Sequence, residues 1–568
     1  MLRNSPCSSW TLIAVILVGV LWHAPGFSAG LYLDDYLHQQ VLEGEPSPMS
    51  RWSLYDFRSA SEWSAGEPGA SGGLPFWTST DWSVRFFRPV TSAALVLEHA
   101  LFGGFEAGYV AMGLGYFALT LFLIMQMLGA LGVDRASRLL ALVFMGASGS
   151  TVLPVEWLAN RNSLFEVLFL VSAVLATAKG RVGFAFLLAC LAVLSKESGV
   201  LGFLLVPMIY GLRQAGRWRP LAWTALGTAS AYLVALVAAG FGTNSAFYLT
   251  PWREPLAYAR RTLLLFAAGL PDLALPYPLD LIPIHTGAAR ILPVLGLVLG
   301  CLLVALVARL GRGGSKRGFL TIWLVCAIAL QGSAPPSSRL LVVAAVPASA
   351  LIAQAVRAGW RSGSVASRIA ASLLFVMAGP MSGLATLGAG VQMARFAHEI
   401  EDAARSVEFE ATRPGTVRVL VMQARNSMVA FGIGATRRAL VGDDIRFDLL
   451  QAGRRGLRWT RPDERTFVFE SLDEPFLTRP FELVYLSAED RASLGLGYQW
   501  QGPGYSVEAT GVGPGGGLRE LTWTWEEPAT TEQRFLVADG AGLRSIEPPA
   551  IGETLTIPAP SLPVPFIP

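Results

Sequence analysis

Two adjacent carboxylates, Asp34 and Asp35, stand in the stretch LYLDDYLHQQ (residues 31–40), where a first long apolar run gives way abruptly to polar sequence. A carboxylate beside another carboxylate and close to an apolar surface holds its proton more tightly than one in water. That suits a general base taking a proton from a hydroxyl. In an extended or irregular segment neighbouring side chains point to opposite sides. One of the pair is therefore expected to face the reacting groups, and the other to support it by orienting a donor or binding a cation. A solvated loop start, or a helix cap just past an apolar segment, accounts for the spacing equally well.

A set of isolated cations forms the second chemical signal. Lysine is scarce, three residues against 41 arginines, and one of the three is Lys196 in LSKESGV. Arg161 in VEWLANRNSLFEV, Arg339 in SAPPSSRLLVV, and Arg85 and Arg88 in RFFRPV stand at comparable places, each at the end of an apolar run. Cations gathered at one membrane edge hold a phosphate and stabilise it as a leaving group through charge-assisted hydrogen bonds. Interfacial snorkelling, or local pairing such as Lys196 with Glu197 and Arg161 with Glu166, explains any one of them alone. Glu156, beside Trp157, Arg85 and His38 are assigned supporting places; Glu98 and His99 are weaker candidates, and both histidines read equally as satisfied interface residues. No His/Cys cluster has metal-ligand spacing and no glycine-rich nucleotide loop is present. A divalent cation beside Asp34 and Asp35 is compatible with the sequence but required by nothing in it.

The elements that must position these residues are apolar helices. Of 568 residues 52% are hydrophobic and 15% charged, and the mean hydropathy is +0.47, which is too apolar for a soluble globular chain. Eleven stretches approach the roughly 20 apolar residues of a span: 10–29, 109–131, 137–154, 163–178, 182–195, 199–212, 220–240, 290–308, 319–333, 340–356 and 367–390. With the N-terminus inside, 15 Lys and Arg fall on the short cytoplasmic segments, as the positive-inside rule requires. The odd count then puts everything after residue 390 outside. The first 30 residues also resemble a secretory signal, but the spans that follow, and the tether that positions Asp34, favour an uncleaved anchor.

Two external loops are long, 30–108 and 241–289. The first is Trp-rich (Trp52, Trp63, Trp77, Trp82) and ends in RFFRPVTSAALVLEHALFG, expected to lie as an interfacial helix. Charge divides the chain near residue 398: residues 1–398 hold 27 basic and 17 acidic side chains, the remainder 17 and 24. The basic residues are strung between apolar runs, which excludes a nucleic-acid patch. In 399–568 the alternating runs TVRVLVMQA, RTFVFESL, FELVYLSA, YSVEATGV, RELTWTWEE and QRFLVADG predict strands of a small β-rich sandwich, followed by a Pro-rich tail. Cys7, Cys190, Cys301 and Cys326 form no disulfide framework.

These pieces, in order, resemble the GT-C superfamily of glycosyltransferases, in particular the protein O-mannosyltransferase and TMTC-like branch with its bacterial relatives. The resemblance rests on LYLDDYLHQQ, RFFRPVTSAALVLEHALFG, LPVEWLANRNSLFEVLF, LSKESGV and SSRLLVVAAVP, spread over residues 10–360. It implies a polytopic α-helical membrane enzyme (1–398) with an extracytoplasmic β-rich domain (399–568). The implied base is Asp34 or Asp35; Lys196 and Arg339 lie by the lipid phosphate, and Arg161 and Arg88 are further donor-binding arginines. The donor would be a polyprenyl-phosphate sugar and the acceptor a protein, lipid or glycan hydroxyl. Two departures stand out: AGYVAMGLGYF lacks the His and Asn that relatives carry there, and the tail is β-like where the TMTC branch has helical repeats. Arginine-rich, lysine-poor composition points to a bacterial inner membrane. The rival classes are a transporter, flippase or ligase for lipid-linked glycans and a non-catalytic scaffold; the first predicts mid-membrane charges and repeat symmetry, and the spans display neither clearly.

Overall fold

The computed structural model describes residues 7–560, apart from residues 46, 60–73, 215–217, 284–285, 312–314, 408–417, 443–444, 454, 529–532 and 540–541. Trp63, part of the first external loop, and most of the Pro-rich tail lie outside the described residues.

The protein is mostly helical up to Ser406 and β-rich from Arg418 onward. All eleven apolar stretches fall on helices, of which fewer have the length and composition of a full span. Among the described residues seven helices are long and apolar enough to cross a membrane: Ser9–Ala29, Glu106–Ala130, Leu158–Ala178, Trp218–Ala238, Gly287–Leu310, Ser338–Trp360 and Val365–Ser406. An eighth is counted if Arg135–Gly146 and Gly149–Glu156, bent by 61° at their junction, form one span. Val182–Ser195, Gly202–Arg213 and Ser315–Ala329 are helices of 14, 12 and 15 residues, shorter than a bilayer core demands. Composition alone could not separate a short buried helix from a spanning one, because both are apolar all round.

Leu158–Ala178 and Ser338–Trp360, each 89% buried over their apolar windows, form the centre of the bundle. Trp218–Ala238 and Gly287–Leu310, at 6% and 11%, bare their apolar side chains at its periphery. The last long helix carries a π-turn, Met377–Met381, where Pro380 removes a backbone donor. It then runs to Ser406, so the charge-based boundary near residue 398 falls inside a helix whose final turns are simply polar.

The two external loops are stitched together by an antiparallel sheet, β1 (Asp56–Ser59), β2 (Ser83–Arg85) and β3 (Gly242–Asn244), in that order. RFFRPVTSAALVLEHALFG does contain a helix, Pro89–Phe102, with Pro at its first turn, where a missing N–H costs nothing.

The C-terminal part has two sheets. The larger is antiparallel, ordered β13 (Thr554–Ile557), β6 (Leu457–Thr460), β7 (Thr466–Ser471), β10 (Leu518–Trp525), β9 (Tyr505–Val512) and β8 (Gln499–Gly502). The smaller is ordered β12 (Gly542–Ile546), β11 (Gln533–Asp539), β4 (Arg418–Val421) and β5 (Arg446–Leu449), with β11, β4 and β5 parallel. Trp459, Phe467, Phe469 and Trp523 of the larger sheet share a core with Phe535 of the smaller, and the Trp459 and Phe535 rings lie 4.8 Å apart. Each such ring contributes about 1.5–3 kcal/mol by its burial.

Parallel neighbours need a crossover, and helix Ser427–Val441 supplies it between β4 and β5. This helix was not expected from the sequence, and Gly432 and Gly434 within it weaken its helical signal. FELVYLSA is likewise corrected: it is no strand, but a one-turn helix, Glu482–Tyr485, running into an extended strap.

Candidate active site

Gly30 ends the first apolar helix at φ 60°, where a Cβ would collide with the Glu106 carboxylate. Three residues on, Leu33 adopts φ 54° and ψ −121°, a left-handed conformation that costs an L-residue on the order of 1–3 kcal/mol. Asp34 and Asp35 follow as the first residues of helix Asp34–Leu42, so the expected extended segment is corrected to a helical turn.

The two carboxylates have different surroundings. Asp35 is fully buried; its Oδ1 accepts a hydrogen bond from the Ala159 amide at 2.7 Å and its Oδ2 one from the Tyr32 amide at 3.3 Å. It ties the start of its helix to the turn Leu158–Asn160. Burial, opposed by those two amides and reinforced by Asp34, pushes its pKa up to about 8. Asp34 is half-buried, and no hydrogen bond from a described residue reaches its carboxylate. Burial raises its pKa, and the charge of Arg339 holds that rise down. Both Asp35 oxygens thus accept from a backbone amide. Among the described residues no group of three or more His, Cys, Asp or Glu side chains forms a metal cage.

Arg339 stands in the turn Ser338–Leu341, its guanidinium 5.5 Å from the centre of the Trp157 indole, and no described carboxylate lies within ion-pair distance. Trp157 also stacks on Tyr32 at 5.7 Å, so ring, cation and Asp34 segment form one layer. The turn is held by two acids that sequence reasoning missed. Ser338 Oγ donates to Asp272 Oδ1 at 3.1 Å, and the Ser338 amide donates to Asp280 Oδ1 at 3.2 Å. Their signal was faint: two acids in the otherwise apolar LPDLALPYPLDL.

Lys196, capping helix Val182–Ser195, donates to Ser163 Oγ at 3.0 Å and lies 3.7 Å from Glu166, too far for a hydrogen bond. Burial lowers its pKa, Glu166 opposes that, and Arg88 adds to it. Arg88 pairs with Glu197 at 2.9 Å and packs over Phe86 at 4.3 Å. The local pairings expected from sequence are therefore exchanged: Glu197 takes Arg88 rather than Lys196, and Glu166 takes Lys196 rather than Arg161.

The other candidates are engaged elsewhere. Arg161 forms a buried ion pair with Glu98 and donates to the Tyr109 carbonyl at 2.8 Å. Arg85 binds Asp56 across β1 and β2 at 2.8 Å. Glu156 meets His23 at 2.8 Å. His38 is fully buried between Tyr55 and Phe57, where burial lowers its pKa to about 4 and keeps the ring neutral.

Tyr485 approaches from the C-terminal part. Its ring stacks between Trp82 at 5.7 Å and Phe431 at 5.3 Å, and its hydroxyl feels the Asp34 charge on top of the dominant effect of burial, both raising its pKa. The strap bearing it is held by both external loops. Trp77 Nε1 donates to the Glu482 carbonyl, Trp82 Nε1 and Ser245 Oγ to the Val484 carbonyl, and the Ala246 amide to the Leu486 carbonyl, at 2.6–3.1 Å. No pattern within FELVYLSA announced this; the signal lay in the tryptophans of the first loop.

No family model and no curated protein matches the chain. Among solved structures it is similar to the Archaeoglobus fulgidus oligosaccharyltransferase. The form tethered with an acceptor peptide containing the NVT sequon gives a TM-score of 0.41 at 11% identity, over 77% of this chain and 63% of that one. The apo form gives 0.43 at 13%, over 78% and 65%. The chain thus spans less than two thirds of that enzyme's length. The functional reading rests on the site's own residues.

Proposed function

We propose that this chain is a multi-pass membrane glycosyltransferase of GT-C type. It moves a sugar from a polyprenyl-phosphate donor to an acceptor hydroxyl at the extracytoplasmic face of a bacterial inner membrane, with inversion. The observation that carries the reading is a half-buried, unbonded carboxylate, Asp34, in electrostatic reach of an unpaired guanidinium, Arg339, that is seated on an indole at the end of an apolar bundle. The sequence resemblance supports the donor class, and residues 1–398 and 399–568 are taken as catalytic and accessory parts.

In this reading Asp34 takes the proton of the acceptor hydroxyl as its oxygen bonds to the anomeric carbon. The bond from that carbon to the phosphate oxygen breaks on the opposite face, and the lipid phosphate leaves with both electrons. Arg339 receives it, aided by Lys196, which has donors to spare beyond Ser163. Asp35 positions Asp34 through the helix start it anchors; Arg88 orders Glu197 beside Lys196. Arg161, Arg85, Glu156 and His38 hold the scaffold.

The test is turnover of a panel of radiolabelled polyprenyl-phosphate sugars by the purified protein in lipid. Asp34→Asn is expected to lower kcat by roughly 10²–10⁴-fold with donor still bound, and Arg339→Gln to weaken donor affinity. Equal turnover in wild type and Asp34→Asn would overturn the assignment.

A further inference from the structure

We propose that helix Ser427–Val441, in the C-terminal part of the chain, is the element that sets the position of Asp34, acting through a contact between Gly432 and Leu33. The inference rests on the reading of Asp34 as the base, and it makes the C-terminal part a component of the catalytic site rather than an appendage beside it.

Leu33, immediately before Asp34, is one of three described non-glycine residues with positive φ. A backbone in that region persists only where its surroundings over-determine it. Those surroundings come from opposite ends of the sequence. The Leu33 side chain packs on one side against the core of the C-terminal part and on the other against the cluster of Ala29, Tyr32 and Trp157. Gly432 is the closest point of that approach: a Cβ built there would stand 3.1 Å from Leu33 Cδ2 and 3.0 Å from Ile400 Cγ2. A side chain at this helix position would therefore press on the Leu33 and Ile400 side chains, and glycine leaves them room, although it weakens the helix by about what a Gly-for-Ala exchange costs.

Two polar ties link the Asp34 segment to this helix, and a third links it to the last long helix, Ser382–Ser406. Gln40 Nε2 donates to the Ala435 carbonyl at 3.2 Å, Arg438 pairs with Glu45 at 2.9 Å, and Tyr36 donates to Glu401 at 3.3 Å. The whole of helix Asp34–Leu42 is thereby clamped, with the strained residue at one end. Asp34 itself touches none of these groups, so its position is inherited from Leu33. Leu33 and Gly432 are positioning residues.

The experiment uses the full chain with its four native cysteines replaced and an Asp34→Cys substitution, labelled with a small water-soluble maleimide in lipid. Gly432→Val is expected to change the labelling rate at least about fivefold, as is Leu33→Gly, which tolerates the backbone but lacks the side chain. Ala439→Val, on the exposed face of the same helix, is expected to leave it unchanged. In the chain with Asp34 intact, Gly432→Val should lower kcat about tenfold or more while KM for the donor stays within twofold, since misplacement of about 1 Å has effects of that order. Leu33→Ala should restore part of the loss, because it vacates the space the valine needs. Should Gly432→Val fail to fold, Leu33→Gly and Gly432→Ala carry the same readouts. Unchanged labelling and unchanged kcat in these variants, with Asp34→Asn inactive, would overturn the positioning role alone. Changed labelling, with Asp34→Asn turning over as fast as the native chain, would sustain it and overturn the base.

Discussion

Asp34 and Asp35 are adjacent in sequence, yet each meets a different environment, and that separates their protons. Burial pushes the Asp35 pKa up to about 8, so it holds its proton more tightly than an ordinary carboxyl and the pair is spared a second charge, while the rise at Asp34 is held down by Arg339. Because the Asp34 pKa is raised by burial, the acid limb of kcat/KM should lie above the ordinary carboxylate value of about 4. Arg339 lowers that pKa, so Arg339→Gln should move the limb to higher pH; a pH–rate profile checks both the position and the sign of the shift. The sequence already exposed the pair, Arg339 and Lys196 as the chemically interesting residues. It did not say which carboxylate was free, since the amide that engages Asp35 belongs to Ala159 and the acid that engages Arg161 is Glu98. Partners so distant in the chain leave no local spacing to read.

The strap Glu482–Ser487 shows the same limit for a whole element. Its β-branched and aromatic residues read as a strand, but no described strand pairs with it; two loops and a buried ion pair hold it instead. Arg455 donates to both Glu482 oxygens, at 2.6 and 2.8 Å, and neither side chain is exposed. Removing one partner strands a buried charge at a cost of about 3–5 kcal/mol. Arg455→Ala should therefore lower the midpoint of thermal unfolding markedly. The same substitution should also reduce turnover, because Tyr485 loses its seat between Trp82 and Phe431. Light-scattering unfolding curves and a rate assay on the same preparation test the two together. Elements with strong internal periodicity, β7, β9, β10 and β11 among them, were legible without help. Helix Ser427–Val441 was not: its Gly432 faces a close approach invisible from within the segment.

For the molecule as a whole, β1–β3 and the strap place both external loops and the C-terminal part on one side of the bundle. Single cysteines placed at Gly104 and Gly515, both exposed, should therefore react together with an impermeant maleimide added to intact cells. One at Gly363, in the exposed link between the last two long helices, should react only after permeabilisation. Reaction of all three in intact cells would refute the topology. The alternation of arginine-rich segments made this sidedness legible, whereas the number of full spans was not, since helix length is set by where neighbours cover an end and not by apolar composition alone.

Leu33 and the residues that pin it are made at opposite ends of synthesis. The segment bearing Asp34 is therefore made before the helix and strap that pack against it, and on the positioning proposed above its left-handed turn is held only once they have folded. On the positioning proposed above, a chain cut short before Gly432 is expected to lack the proposed activity even where its apolar helices have formed.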